Sequence, residues 1–212
     1  MNPLVTRHDD ALPSPLFHDV LQAMERIGAK ADYWRTFWFP LSAEPHNVIE
    51  QIARTLHGRI PERERIIGVE WWLGRMNTCD VPLDFHHDRD LTLFEETGRI
   101  AHPKWSSVLY LNEVKGGSLV VTDQRLLRRG EELRLSPAEA GSSDVVRPAA
   151  NRFVVFPGNL FHGVLDVNDA VPSGKRAGKA EWRLSVVINW WTHKPRGVQR
   201  WSASDAYPEL WR

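Results

Sequence analysis

The stretch LDFHHDRDL, Leu83–Leu91, packs two histidines and three aspartates into seven consecutive positions. Imidazole nitrogens and carboxylate oxygens are the usual protein ligands of divalent metals. If the stretch is extended, side chains alternate between two faces. Asp84, His86, Asp88 and Asp90 then point one way, and Phe85, His87, Arg89 and Leu91 the other. His86 and Asp88 share a face, whereas His87 has no carboxylate two positions away. Carboxylates crowded on one face repel one another, and a bound cation relieves that repulsion. A solvated acidic turn would have the same composition. A further histidine, His162, sits in the β-like run PGNLFHGVLDV after a Pro-Gly turn. Two histidines and one carboxylate occupy one face of an octahedral ion and leave the opposite positions open, which is the donor set of non-haem Fe(II) oxygenases. A structural zinc site would need four protein ligands, mostly thiolates or histidines, and the chain has one cysteine.

The elements that would position these residues change character along the chain. SPLFHDVLQAMERIG reads as a helix with Ser14 as cap, Pro15 in the first turn and Gly28 as stop. DYWRTFWFP is aromatic, β-prone and closed by a proline, and PHNVIEQIARTLHG is a second helix ending near Gly58. From about Arg65 short β-like runs follow one another: RIIGVEWWLGRMN, WSSVLYLNEV, GSLVVTDQ, ELRLS, NRFVVFPG, LFHGVLDV and EWRLSVVINWW. Strands without intervening helices predict an antiparallel sandwich or barrel. The expected fold class is therefore mainly β with flanking helices. No internal repeat or linker divides the 212 residues, so one domain is expected, with helical support over about 1–64 and a β core over about 65–192. PSGKRAGKA, 172–180, reads as a mobile loop between two strands.

Composition limits the partners. Twenty-seven basic and twenty-seven acidic residues cancel, so no global field steers the chain toward nucleic acid or anionic lipid. No apolar run reaches membrane-spanning length, the first residues lack the apolar core of a signal peptide, and Cys79 alone allows no intrachain disulfide. The expectation is a cytoplasmic protein that binds neither nucleic acid nor membrane. Ten tryptophans, among them the pairs Trp71-Trp72 and Trp190-Trp191, serve as packing or as walls of a substrate pocket.

Four motifs in order carry a family resemblance: His86-x-Asp88, then SSVLYLNEVKGGSLVV, NRFVVFPGNLFHGV and EWRLSVVINWW. Together they span about Val69 to Trp191. This order resembles the Fe(II)- and 2-oxoglutarate-dependent dioxygenases, close to the prolyl-4-hydroxylase-like branch. The resemblance implies a double-stranded β-helix, the jelly roll shared with cupins. It implies Fe(II) bound by His86, Asp88 and His162, with 2-oxoglutarate and O2 as cosubstrates. Arg183 would pair with the distal carboxylate of 2-oxoglutarate, Ser185 would assist it, and Tyr110 would help hold the same molecule. A planar guanidinium matches a carboxylate as a fork, and positions 183 and 185 of a strand share a face. Gly116-Gly117 would form the tight turn after the Tyr110 strand. The inserted DAVPSGKRAGKA makes Arg176 a second candidate carboxylate binder, and Arg75 and Asn77 are candidates near the keto-acid end.

The implied reaction is oxidation of a small molecule, amino acid or peptide, with release of succinate and CO2. A carboxylate at position 88 argues for hydroxylation, desaturation or ring closure over halogenation. The competing readings are a metal-binding cupin-like protein without 2-oxoglutarate chemistry, a hydroxylase directed at whole proteins, and a zinc hydrolase using the same ligands. Substrate walls are expected from Trp71, Trp72, Phe85, the loop after the triad and the inserted loop near Lys175.

Overall fold

The computed structural model describes residues 3–32, 34–129, 132–179 and 181–211. Tyr33 of the DYWRTFWFP segment and Ala180 at the end of the inserted loop lie outside the described residues. Two antiparallel sheets face each other. The major sheet has six strands in the order β1 (Thr6–His8), β8 (Arg152–Pro157), β4 (Trp105–Tyr110), β10 (Trp182–Trp191), β3 (Gly68–Asn77) and β2 (Phe37–Pro40). In the minor sheet β5 (Leu119–Arg129) is central. It pairs on one edge with β9 (Leu160–Val164) and on the other with β7 (Ser143–Val146) and then β6 (Glu132–Ser136). This is an antiparallel sandwich, as the strand-rich second half predicts, in the jelly-roll form that the family resemblance implies.

Two strands were not legible in the sequence. β1 is three residues long and β7 four, too short for an alternating pattern to register. β1 and β2 close the two edges of the major sheet, so the N-terminal part supplies sheet as well as helix.

Helices α1 (Ser14–Ile27) and α2 (Val48–Leu56) cover the outer face of the major sheet. Val20, Ala23, Met24 and Ile27 of α1 and Ile49, Ile52, Ala53 and Leu56 of α2 pack on Val69, Trp71 and Leu73 of β3 and on Val186, Ile188 and Trp190 of β10. Each large apolar side chain buried in this way contributes roughly 1.5–3 kcal/mol. Ser14 is already helical and caps nothing; the chain enters through Pro13 and fills the first turn with Pro15. Asn47 is the side-chain cap of α2, its Oδ1 accepting from the N–H groups of Ile49 and Glu50 at 2.9 Å.

Strand alternation turns the opposite residues of the same strands inward. Trp72, Gly74 and Met76 of β3, and Arg183, Ser185 and Val187 of β10, line a cavity between the sheets. Trp71 faces the helices and is fully buried there, so it forms no part of that cavity, contrary to the sequence expectation. Alternation likewise removes Arg75 and Asn77 from the site. Arg75 stacks on Trp182, its guanidinium carbon 3.5 Å from the ring centroid, and Asn77 Oδ1 accepts from the Cys79 N–H.

Candidate metal centre

His86 is held by backbone pairing. It forms an isolated antiparallel bridge with His162 of β9: His86 N–H donates to the His162 carbonyl at 2.8 Å, and His162 N–H to the His86 carbonyl at 3.0 Å. Residues opposite each other in an antiparallel pair project side by side, and the two ring centroids are 4.5 Å apart. Phe85 lies across Gly163, where a Cβ would come within 2.3 Å of its ring, so the segment can seat this closely only against glycine.

Both imidazoles are oriented through Nδ1. His86 Nδ1 donates to the Asp84 carbonyl at 2.8 Å and His162 Nδ1 to the Leu160 carbonyl at 2.9 Å. Each Nε2 is thereby left as a lone-pair donor. These nitrogens stand 3.6 Å from Asp88, His86 on Oδ1 and His162 on Oδ2. One ligand atom from each residue falls within 4.8 Å of the other two, which suits a single ion. Burial works against the Asp88 charge, yet His162, His86 and the Ser106 hydroxyl overcome it and hold the carboxyl well below its usual range. Burial lowers the His162 pKa despite Asp88. At His86 burial acts in the same direction, but the bond to Asp88 prevails and the pKa is raised.

Ser106, which the sequence reading passed over, donates from Oγ to Asp88 Oδ2 at 2.6 Å. Its only signal was a pair of serines opening a β-like run. His87 points elsewhere. Its ring lies 5.0 Å from Phe161 and 6.0 Å from His102, and burial together with His102, His162 and His86 pushes it down to about 4, so it is neutral.

Asp90 does not join the cluster, although alternation put it on the same face. The chain turns into a short helix, α3 (Leu91–Thr97), which the sequence reading took as loop. Asp90 is its cap: Oδ1 accepts from Leu93 N–H at 2.8 Å and Oδ2 from Arg196 N–H at 2.9 Å. Asp90→Ala removes the cap and leaves two N–H groups unpaired at a position only 3 % exposed. It is expected to cost about 2 kcal/mol of stability, read as a lowered urea midpoint with unchanged slope.

From the three ligand candidates the cavity runs along the inner face of β10 to Arg183. Arg183 is 3 % exposed, its guanidinium lies 4.9 Å from the Tyr110 ring centroid, and its Nε has no hydrogen-bond partner among the described residues. Tyr110 Oη and Ser185 Oγ, both fully buried, also lack partners. Three unsatisfied donors gathered in one cavity are costly unless an acceptor comes to them. Two glycines make the room. A Cβ at Gly74 would lie 2.4 Å from Ser185 Oγ, and one at Gly117, which has φ +68°, would lie 2.9 Å from Arg183 Cδ. Arg176 is spent elsewhere, its Nε 2.6 Å from Asp166 Oδ2, and its backbone N–H donates to the Cys79 carbonyl. The described part of the inserted loop is therefore tied to the β3 end, and none of its described residues lines the cavity.

Fold and site together define a jelly-roll protein with an open-sided His, Asp, His cluster and a cationic anchor at the far end of its cavity. The chain belongs to the 2OG-Fe(II) oxygenase superfamily, whose sequence profile matches residues 72–193. It is an Fe(II)- and 2-oxoglutarate-dependent oxygenase. No curated protein matches the sequence. Solved structures that share the fold include a Pseudomonas putida prolyl-4-hydroxylase, at 19% identity and TM-score 0.55 over 91% of this chain and 95% of that one. HygX from Streptomyces hygroscopicus, with nickel and 2-oxoglutarate bound, is 17% identical at TM-score 0.50, covering 94% and 85%. The non-haem α-ketoglutarate-dependent epimerase SnoN from nogalamycin biosynthesis is 12% identical at TM-score 0.52, covering 89% and 78%. The residues present fit these cofactors: two imidazoles whose Nδ1 atoms are tied to carbonyls and whose Nε2 atoms face a carboxylate, for the metal, and three unpartnered donors for a carboxylate. Among the described residues no helix is long and apolar enough to cross a membrane.

Proposed function

We propose that His86, Asp88 and His162 hold the Fe(II), that Arg183, Ser185 and Tyr110 take the distal carboxylate of 2-oxoglutarate, and that the enzyme hydroxylates a small molecule, amino acid or peptide. When bound, Fe(II) and 2-oxoglutarate supply the oxidation, in which O2 and the keto acid yield succinate, CO2 and one oxygen atom for a substrate C–H bond.

The observation that carries this reading is the one cavity with lone-pair donors at one end and unpartnered hydrogen-bond donors at the other. Arg183 offers a charged fork to a carboxylate, and the ring of Tyr110 holds that fork in place. Val108, Leu119, Phe156 and Val164 keep the space between the two ends apolar, which strengthens both sets of contacts. A cupin-like metal binder without 2-oxoglutarate would leave Arg183, Ser185 and Tyr110 with nothing to bind. The hydroxylase reading draws support from the intact carboxylate at 88 and from the prolyl-4-hydroxylase that shares the fold.

Fe(II)-loaded protein supplied with O2, 2-oxoglutarate and panels of amino acids and short peptides is expected to form succinate in step with a product one oxygen atom heavier. Succinate at the same rate with every candidate, and no oxygen incorporated, would argue against that substrate class. Ser106→Ala, which frees Asp88 Oδ2, is expected to weaken Fe(II) binding by about tenfold, measured by competition with a chelating dye.

A further inference from the structure

The major sheet carries a polar row just beyond the metal end of the cavity. Glu70 of β3 is in register with Asn189 of β10, Asn189 with Ser106 of β4, and Trp38 of β2 with Glu70. All four lie on the inner face, because Trp72, Val187 and Val108, two positions along their strands from Glu70, Asn189 and Ser106, line the cavity. The Ser106 end of the row is joined to the metal site by its bond to Asp88.

Beyond Ser106, the polar members of this row, Asn189 and Glu70, have no part in the mechanism. Asn189 is 2 % exposed, and its Oδ1 meets no donor among the described residues. Glu70 is half-buried, and the charged groups that act on it, Asp88 and Asp90, are both acidic. Burial, reinforced by those two carboxylates and opposed by hydrogen bonds from Thr36 and Trp191, pushes Glu70 up to about 7. A carboxylate that faces no cation and an amide oxygen without a donor, side by side on a rigid sheet, call for N–H groups and positive charge from outside. An ammonium or guanidinium supplies several such groups together with the charge that Glu70 lacks. The indoles of Trp38 and Trp72 beside Glu70 suit the same visitor.

We propose that Glu70 and Asn189 form a recognition subsite for a protonated nitrogen of the substrate, so that the oxygenase acts on amine- or guanidine-bearing compounds. The proposal rests on the reading that the metal sits at His86, Asp88 and His162, next to this row. The ion pair would also fix the substrate's orientation, presenting a carbon a few bonds from the nitrogen to the open side of the metal.

The test uses Mn(II) in the 2-oxoglutarate-loaded protein, which broadens the proton resonances of molecules bound beside it. The probe is n-butylammonium and the control n-butanol, of equal length and no charge. Wild type is expected to broaden the probe about tenfold more than the control at equal concentration, and the isosteric Glu70→Gln to bring the two within about twofold. Equal broadening in wild type, or a preference that survives Glu70→Gln, would overturn the proposal. The charge-transfer band of the Fe(II)-2-oxoglutarate complex, recorded on both proteins, separates the two levels. No band in wild type removes the site reading itself. A band lost only in Glu70→Gln would make Glu70 part of metal or cosubstrate binding and would overturn the substrate role.

Discussion

Asp88→Ala is expected to lower Fe(II) affinity by more than about 100-fold, since even outer partners of metal ligands cost 10–100-fold when removed. Asp88 supplies the only negative charge among the three ligand candidates, and its oxygens face both Nε2 atoms at 3.6 Å. Without it two imidazoles remain side by side with nothing to neutralise a divalent ion. His162→Ala should lose as much, because burial keeps that imidazole in the neutral, lone-pair form. His87→Ala is the control from the adjacent position and should keep most of the affinity, since its ring packs on Phe161 and its Nε2 reaches none of the three. Equal losses at His86 and His87 would contradict the bridge-based orientation of the segment. Equilibrium dialysis with metal analysis distinguishes these outcomes.

Arg183→Ala is expected to weaken 2-oxoglutarate binding by about 100-fold or more while leaving metal affinity within about twofold, because an uncompensated buried carboxylate costs several kcal/mol. Arg183 sits at the opposite end of the cavity from the three ligand candidates, so the two affinities should separate cleanly. Calorimetric titration of Ni(II)-substituted protein with 2-oxoglutarate measures the cosubstrate step without turnover. Arg176→Ala should leave that affinity unchanged, as Arg176 is paired with Asp166 outside the cavity. A large loss there would reverse the two assignments.

Much of this arrangement was legible because strand alternation is a local rule. Applied to residues 84–90 it put His86 and Asp88 on one face, and they converge even though the stretch is a single bridge and not a strand. The same rule failed at Asp90, where seven residues of helix begin without any glycine or proline to announce them. At Trp71-Trp72 and at Gly74-Arg75 the rule would have sorted the inward residue from the outward one, had the cavity face of β3 been fixed by a neighbouring strand. That face is set by register with β10, and register is a long-range property that one sequence does not display. The row Glu70, Asn189 and Ser106 was invisible for the same reason, since its members are more than 30 positions apart in the chain and meet only through two pairings. Gly74 did carry a readable signal. Glycine inside a strand marks a close approach, here of Ser185 Oγ.

The central claim is that the metal site and the Arg183 site serve one bound molecule. Anaerobic titration of the Fe(II)-loaded protein with 2-oxoglutarate tests it most directly, because the weak visible charge-transfer band appears only when the keto acid chelates iron. A saturable band is expected in wild type, with a midpoint that moves to much higher 2-oxoglutarate concentration in Arg183→Ala. A protein that binds Fe(II) yet gives no band, or a band with the same midpoint in both proteins, would contradict it.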